Sequence, residues 1–383
     1  MTAMVCLIYW CGCLGWADRL ARAGDPAAMR LAPGDADIRL RLVGNDVAGL
    51  QAAAALDPGN ADAWIRLGLA AEIHGDDSTA ERALLEAARV SRQYAPRWTL
   101  ANYYFRRGDR AHFWTWMSAA LRMGYGELDP AFALCWSMSR DGAEIRRLAI
   151  PERAPVLNAY VRFLLSTGRL AASEPVAASL AARGGADDLS TLGAWLNLQL
   201  DRGSVPAAVA VWNALCARRL LPYAAIDTER APLTDGDFAA ASPVSSGFAW
   251  RLPPVNGAAV AWDRRGRWLR IDFSGDQPEA CAPLLEYVPL RASRIYRLRF
   301  TYRTAYIAPA SGLIWSVYDA RTGVDLAQDS PFLSSDEWKP AQVRFRAPAC
   351  GLVRVTLVCR RVSGQTRIAG WVELRAASME PGI

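Results

Sequence analysis

The stretch DAWIRLGLAAEIHGD, residues 62–76, decides the fold, because it is either one amphipathic helix of a closed core or one copy of a repeated unit. Within it Trp64, Leu67 and Gly68 have the spacing W-x2-L-G, and Ala80, Leu84 and Ala87 carry the apolar stripe into a second helical segment. Trp98 stands 34 residues after Trp64 and opens a second copy, WTLANYYFRRGDRAHFWTWMSAAL, in which Gly108 and Asp109 match Gly75 and Asp76 with one residue deleted. Small residues such as Gly68 and Ala80 let two helices approach, and the large ones fill the gap between them. The stretch is therefore one unit of a repeat.

This spacing is the tetratricopeptide pattern, a helix–turn–helix unit that buries its apolar face only by stacking on its neighbours. Weaker copies begin at Leu157 and Leu192 and place their turns at Gly168 and Gly203, 35 residues apart. LAPGDADIRLRL at 31–42 echoes LDPGNADAWIRL at 56–67 and reads as a shortened leading copy. Residues 125–154 fit the pattern poorly and are expected to form helices that interrupt the stacking. A helical solenoid is thus expected over 18–221, with a groove that binds a protein partner. The aromatic run Tyr103, Tyr104, Phe105, Phe113, Trp114 and Trp116 reads as packing between helices, and Arg106, Arg107 and Arg110 as solvated.

Bulk composition narrows the function. A chain of 383 residues with 52% hydrophobic and 21% charged residues is long enough for two or three folded domains. The net charge of +6 rests on arginines spread along the whole chain, Lys339 being the single lysine, so no nucleic-acid footprint is expected. Two histidines, His74 and His112, both beside turns, leave little material for a histidine triad or a multi-histidine metal site. The eight cysteines are Cys6, Cys11, Cys13, Cys135, Cys216, Cys281, Cys350 and Cys359. No CxxC pair occurs, so neither zinc nor thioredoxin chemistry is expected, and the last three read either as a source of one disulfide or as buried thiols. Residues 1–17 carry no charge and are apolar, yet fall short of the roughly 20 residues of a membrane span. They read as a truncated membrane anchor or, alternatively, as a buried first helix.

After Leu221 the period changes to two. WLRIDFSG puts Leu269, Ile271 and Phe273 on one face, and RIYRLRFTYRT puts Tyr296, Leu298, Phe300 and Tyr302 opposite Arg297, Arg299, Thr301 and Arg303. AQVRFRAP, GLVRVTLVCRR and GWVELRA continue the alternation. Short alternating strands without intervening helices predict an antiparallel β-sandwich over 232–383, joined to the helices by a linker at 222–231. The fold class is therefore multidomain α + β, with an all-α tetratricopeptide-type solenoid followed by an antiparallel sandwich of jelly-roll type.

LTDGDFAAASPVSSGFAWRL (233–252) resembles the opening of carbohydrate-binding jelly rolls of the galactose-binding-like group, and FSGDQPEACAPLLEYVPLRASRIYRLRFTYRT (273–304) is similar to their middle. The family often carries an acidic residue after the opening Phe for a structural calcium, where Ala239 stands here; Asp235, Asp237 and Glu373 remain as oxygen donors, and no metal or cofactor is assigned. A sugar site needs flat aromatic rings flanked by acids, amides or arginines. The candidates are Trp262, Trp268, Trp315 and Trp338 with Arg270 and Asp319, and the competing reading is that these tryptophans cover the sheet or pack against the helices.

Asp272, Glu286, Asp319 and Glu373 are the carboxylates that could hydrolyse a glycoside, but no motif sets two of them across a cleft. G-x-S-x-G, P-loop, Rossmann and H-E-x-x-H motifs do not occur, so an enzyme is not expected. The whole resembles bacterial envelope proteins that combine an N-terminal membrane segment, tetratricopeptide repeats and a terminal sandwich. That resemblance implies a scaffold for polysaccharide assembly or export, anchored in the inner membrane with periplasmic domains, and leaves a cytoplasmic location open. Its alternatives are a pure protein-interaction adaptor and a glycan-processing enzyme.

Overall fold

The computed structural model describes residues 2–124, 126–228, 230, 233–240, 245–263 and 265–382, with side chains from residue 10 onward. Among them, fourteen α-helices precede eight β-strands, giving a helical solenoid followed by an antiparallel sandwich. They pack as two units, residues 1–160 and 161–383.

The first unit contains α1 (Thr2–Arg22), α2 (Ala27–Leu31), α3 (Ala36–Leu42), α4 (Val47–Leu56), α5 (Ala61–Ile73), α6 (Asp77–Val90), α7 (Tyr94–Arg106), α8 (Arg110–Met123), α9 (Asp129–Met138), α10 (Gly142–Leu148) and the start of α11 (Ala154–Ser166). The α5/α6 and α7/α8 hairpins are the two strong repeat copies. Each turns at a glycine in the left-handed region, Gly75 at φ 77° and Gly108 at φ 70°. The next residue's N–H returns to the helix it has left: Asp76 donates to Ala71 O at 2.9 Å and Asp109 to Tyr104 O at 3.0 Å. The aspartate side chains then cap the following helices, accepting from Thr79 N and His112 N at 3.1 Å. One Gly-Asp pair therefore stops one helix and starts the next.

Gly68 shows why the signature needs a small residue. A Cβ there would stand 2.6 Å from Leu84 Cγ and 3.1 Å from the Ala80 carbonyl oxygen, while Ala80 and Leu84 are fully buried. Tyr103, Tyr104, Phe113 and Trp114 are buried too, as expected of inter-helix packing. The arginines read as solvated are partly exposed but ion-paired: Arg106 meets Glu72 at 2.6 Å and Arg110 meets Glu144 at 3.1 Å. Arg107 also pairs with Asp77. The short helices α9 and α10 occupy the stretch that departs from the repeat.

At the N-terminus Ala17 and Ala21 of α1 pack with Ala28, Ala32 and Ile38, whereas Trp10 and Trp16 are 65% and 55% exposed. The C-terminal end of α1 thus packs on α2 and α3 through Ala17 and Ala21, while Cys11 and Leu14 are exposed as well and Cys6 lies outside the described side chains. Among the described residues no helix is long and apolar enough to cross a membrane.

The second unit holds the rest of α11, then α12 (Leu170–Arg183), α13 (Leu189–Asp201) and α14 (Val205–Ala217), followed by the strands. These are β1 (Ala258–Asp263), β2 (Trp268–Ser274), β3 (Ala280–Pro289), β4 (Ile295–Ala305), β5 (Leu313–Asp319), β6 (Lys339–Arg346), β7 (Leu352–Arg360) and β8 (Ala369–Pro381). The last helical pair packs with the sandwich for local reasons. Asn197 accepts from Gly247 N at 2.8 Å, Trp212 meets Phe248 edge to face at 5.7 Å, and Tyr287 donates to Asp201 at 2.7 Å.

The strands form one sheet in the order β1-β2-β8-β4-β6 and a second in the order β3-β7-β5, all pairs antiparallel. Alternate residues of both sheets meet in one core, among them Leu269, Ile271, Phe300, Trp315, Val355 and Leu357. The TDGDF loop closes this core: Phe238 is fully buried, stacks on Trp250 at 5.7 Å, and follows Gly236, whose Cβ would fall 2.1 Å from the Ala377 carbonyl.

Candidate functional site

Alternation along the five-stranded sheet decides what its outer face presents. In β2, Leu269, Ile271 and Phe273 point inward, leaving Trp268, Arg270 and Asp272 outside. β8 sends Trp371, Glu373 and Arg375 outward in the same way, between buried Val372 and Leu374. The registers align Arg270 and Arg303 on either side of Glu373. Arg270 Nη1 lies 3.7 Å from Glu373 Oε1, and Arg303 Nε donates to Glu373 Oε2. Glu373 is only 2% exposed, a buried carboxylate held by two guanidinium groups.

On this base stands a ladder of alternating cations and rings. Arg270 lies 4.4 Å over Trp371, Arg303 lies 5.6 Å from Trp371 and 4.9 Å from Trp338, and Arg375 lies 3.9 Å over Trp338. Asp272 grips Arg270 at 2.7 Å, and this hydrogen bond holds the guanidinium above its usual value against the opposing effect of burial. Arg270 and Arg303 are thus held by ion pairs and ring contacts while remaining partly exposed, and Trp338 and Trp371 are half-buried beside them.

A bulge in β8 opposite Phe300, with Ala376 at φ 51°, opens a cleft of about 540 Å³ beside the ladder, lined by Arg299, Thr301, Pro340, Gln342, Ala376 and Ser378. Strands β2, β8, β4 and β6 present Arg270, Arg297, Arg299, Arg303, Arg344, Arg346 and Arg375 on this face against Asp272, Glu373 and Glu380. On these four strands seven arginines face three carboxylates, and β1 adds Asp263 to the same face through its pairing with Trp268. The charge that looks dispersed along the sequence is concentrated here by strand pairing.

The sequence candidates separate on this geometry. Arg270 and Trp338 belong to the ladder, and Trp268 stands on the same face. Trp262 points the other way: its Nε1 donates to Phe238 O at 2.9 Å and its ring meets Phe238 edge to face, so it seals the core edge. Trp315 is corrected outright. It is 1% exposed and packs between Trp250 and Phe300 at 5.9 and 5.7 Å, leaving no ring face for a sugar. Asp319 is also corrected: it ends β5 of the other sheet and caps a turn by accepting from Arg321 N and Thr322 N at 2.8 and 3.3 Å.

Trp371, Arg303 and Arg375 are the members that sequence reasoning missed. The alternating GWVELRA stretch carried the signal, since the register that buries Val372 and Leu374 exposes Trp371 and Arg375.

The carboxylates considered for hydrolysis do not gather at a cleft. Glu286 is buried in the core and accepts from Thr234 N at 2.5 Å, while Asp272 and Glu373 both engage Arg270. Burial pushes the Glu286 carboxyl well above the carboxylate range and raises nearby Asp235 to about 6, against the pull of Ala240 N and Ala239 N. The oxygens named for a calcium ion are divided, Asp235 and Asp237 lying together at the TDGDF loop and Glu373 within the ladder. Among the described residues no group of three or more such side chains is arranged to hold a metal ion.

In the first unit, a cleft of about 640 Å³ lies among α4, α5 and α6, lined by Gln51, Ala55, Trp64, Leu67, Arg82, Leu85, Glu86 and Arg89, among others. Trp64 is half-buried there, its Nε1 donating to Pro58 O at 2.9 Å. The second signature tryptophan, Trp98, stacks on Tyr94 at 6.0 Å.

No family model and no curated protein matches the chain. Among solved structures it is similar to a family 4 carbohydrate-binding module (12% identity, 39% of this chain and 99% of that one, TM-score 0.31). It is also similar to the CBM22-1 xylan-binding domain of Paenibacillus barcinonensis Xyn10C (10% identity, 40% and 95%, TM-score 0.28). A third is PilW, a type IV pilus biogenesis factor (18% identity, 52% and 94%, TM-score 0.23). At this level of similarity none of them decides what the present chain binds.

Proposed function

We propose that this protein is a non-catalytic adaptor of the bacterial cell envelope, whose sandwich binds an acidic polysaccharide and whose helical repeats hold a protein partner. The observation that supports it is the arginine–tryptophan ladder on the outer face of the five-stranded sheet, with a cleft beside it that Arg299, Thr301, Gln342 and Ser378 line. Planar guanidinium groups match carboxylates in two-point hydrogen bonds, and the neighbouring rings offer apolar edges to a sugar. The two carboxylates beneath the ladder neutralise only part of its charge, and Arg375 adds a cation with no carboxylate partner among the described residues.

A purely structural ladder would brace the sheet equally well. The excess of arginine over carboxylate favours the binding reading, because bracing gains nothing from uncompensated charge. Affinity electrophoresis of the full chain through gels containing a uronate-rich polysaccharide tests it. Retardation of the wild type, weakened at least about tenfold by Trp371→Ala or Trp338→Ala, is expected. Equal mobility with and without the polysaccharide leaves the ladder a structural brace and sinks the proposal.

A further inference from the structure

Cys281 on β3 and Cys359 on β7 are direct partners in the antiparallel register. Directly opposed residues in such a pair have Cα atoms about 4.5–5.5 Å apart, within the span of a disulfide. This register sets the two free thiols side by side, and each shifts the other's proton affinity. Both side chains belong to the sandwich interior, Cys359 being 3% exposed and Cys281 partly buried against the same core. The third cysteine of the sandwich is engaged elsewhere: Cys350 Sγ lies 3.4 Å from Asp319 Oδ1 and 3.5 Å from Leu352 O. Of the three cysteines that the sequence left open, only one pair meets.

We propose that Cys281 and Cys359 form a disulfide that ties β3 to β7, and that Cys281 is the sulfur that reacts first. Access sets this order. Cys281 lines a surface recess of about 370 Å³ with Leu285, Tyr318, Arg354 and Thr356, whereas Cys359 lies behind it in the core. The neighbouring Cys359 thiol lowers the proton affinity of Cys281, while Cys281 and burial raise that of Cys359. The Cys281 thiolate attacks a small external disulfide, such as oxidised glutathione, and expels one thiolate to leave a mixed disulfide. Cys359 then loses its proton and attacks the Cys281 sulfur, expelling the second thiolate. One external disulfide is reduced to two thiols as the two cysteine thiols are oxidised to one disulfide.

The bond would close a long loop that contains β4, β5 and β6, which is where a cross-link restricts the unfolded chain most. The test is peptide mapping of the full chain, purified reduced, incubated with oxidised glutathione and alkylated under denaturing conditions. The expected result is a linked Cys281–Cys359 peptide, with Cys350 still alkylated, and an unfolding midpoint for the sandwich raised by roughly 5–10 °C over the reduced protein. Cys359→Ser should stop the reaction at the glutathione adduct on Cys281, and Cys350→Ser should change nothing. The wild-type map is decisive even if a variant folds poorly: alkylation of both Cys281 and Cys359 after oxidation, or linkage of either to Cys350, overturns the proposal.

Discussion

Residue by residue, the sandwich separates side chains that look alike in the sequence. Trp315 and Trp371 both stand on alternating strands, yet one fills the core and the other carries two arginines on the surface. Trp315→Ala is expected to cost about 3–5 kcal/mol of stability, and Trp371→Ala about 1 kcal/mol or less while weakening polysaccharide binding at least about tenfold. Chemical denaturation of both variants checks this, and similar losses would place Trp371 in the core's role. The distinction was legible in part. In LIWSVYD the alternation of Leu313, Trp315 and Val317 marks Trp315 as an inward residue, although an aromatic ring by its chemistry alone also suits a sugar site. The turn cap at Asp319 was legible too, because its carboxylate meets N–H groups only two and three residues on, a local Asx-type turn that the D-A-R-T-G stretch signals. The buried acids give a second prediction. Glu286 and Asp235 have folded-state proton affinities raised above those of the unfolded chain, so the folded state binds more protons at mildly acidic pH. Their contribution to stability is present below the ordinary carboxylate range and is lost as pH climbs through about 6 for Asp235. The thermal midpoint of the sandwich should therefore fall between about pH 5 and about pH 7.5, and Glu286→Gln should flatten that slope by removing one titrating group. A midpoint that rises over this interval, or an unchanged slope in Glu286→Gln, contradicts the assignment.

At the level of elements, the repeat was the most legible part of the chain, because its chemistry is local. Gly75 and Asp76 form a stop-and-start signal within two adjacent residues, and the same pair recurs at Gly108 and Asp109. Two glycines of one hairpin should fail for different reasons. Gly68→Ala pushes a methyl group into Leu84 and is expected to cost about 1–3 kcal/mol by overpacking. Gly75→Ala meets open space but strains a left-handed backbone, at about 1 kcal/mol, and Gly75→Asn should recover much of it. Urea titrations followed by helical circular dichroism separate the cases; an Asn variant no better than Ala would remove the conformational explanation. The sheet was legible as alternation, but its strand order was not. β8 lies between β2 and β4 although it is last in the chain, and that crossover is what sets Trp371 between Arg270 and Arg303. No window of sequence contains these three residues together.

For the whole molecule, charge distribution is where a linear reading fell short. Arginines spaced evenly along the chain read as a diffuse excess, whereas four strands pool seven of them on one face of the sandwich. Electrostatic attraction at such a face should be strong at low salt and weaken as added salt screens exposed charge. The measurement that tests the central claim most directly is calorimetric titration of the full chain with one uronate-rich polysaccharide before and after chemical reduction of its carboxylates to alcohols. The account predicts binding to the acidic polymer, weakened at least about tenfold by carboxylate reduction and likewise by Arg375→Ala, which removes a ladder cation without unpairing a buried charge. Equal binding to both polymers would contradict the assignment of an acidic ligand, and binding to neither would leave the ladder without the role given to it.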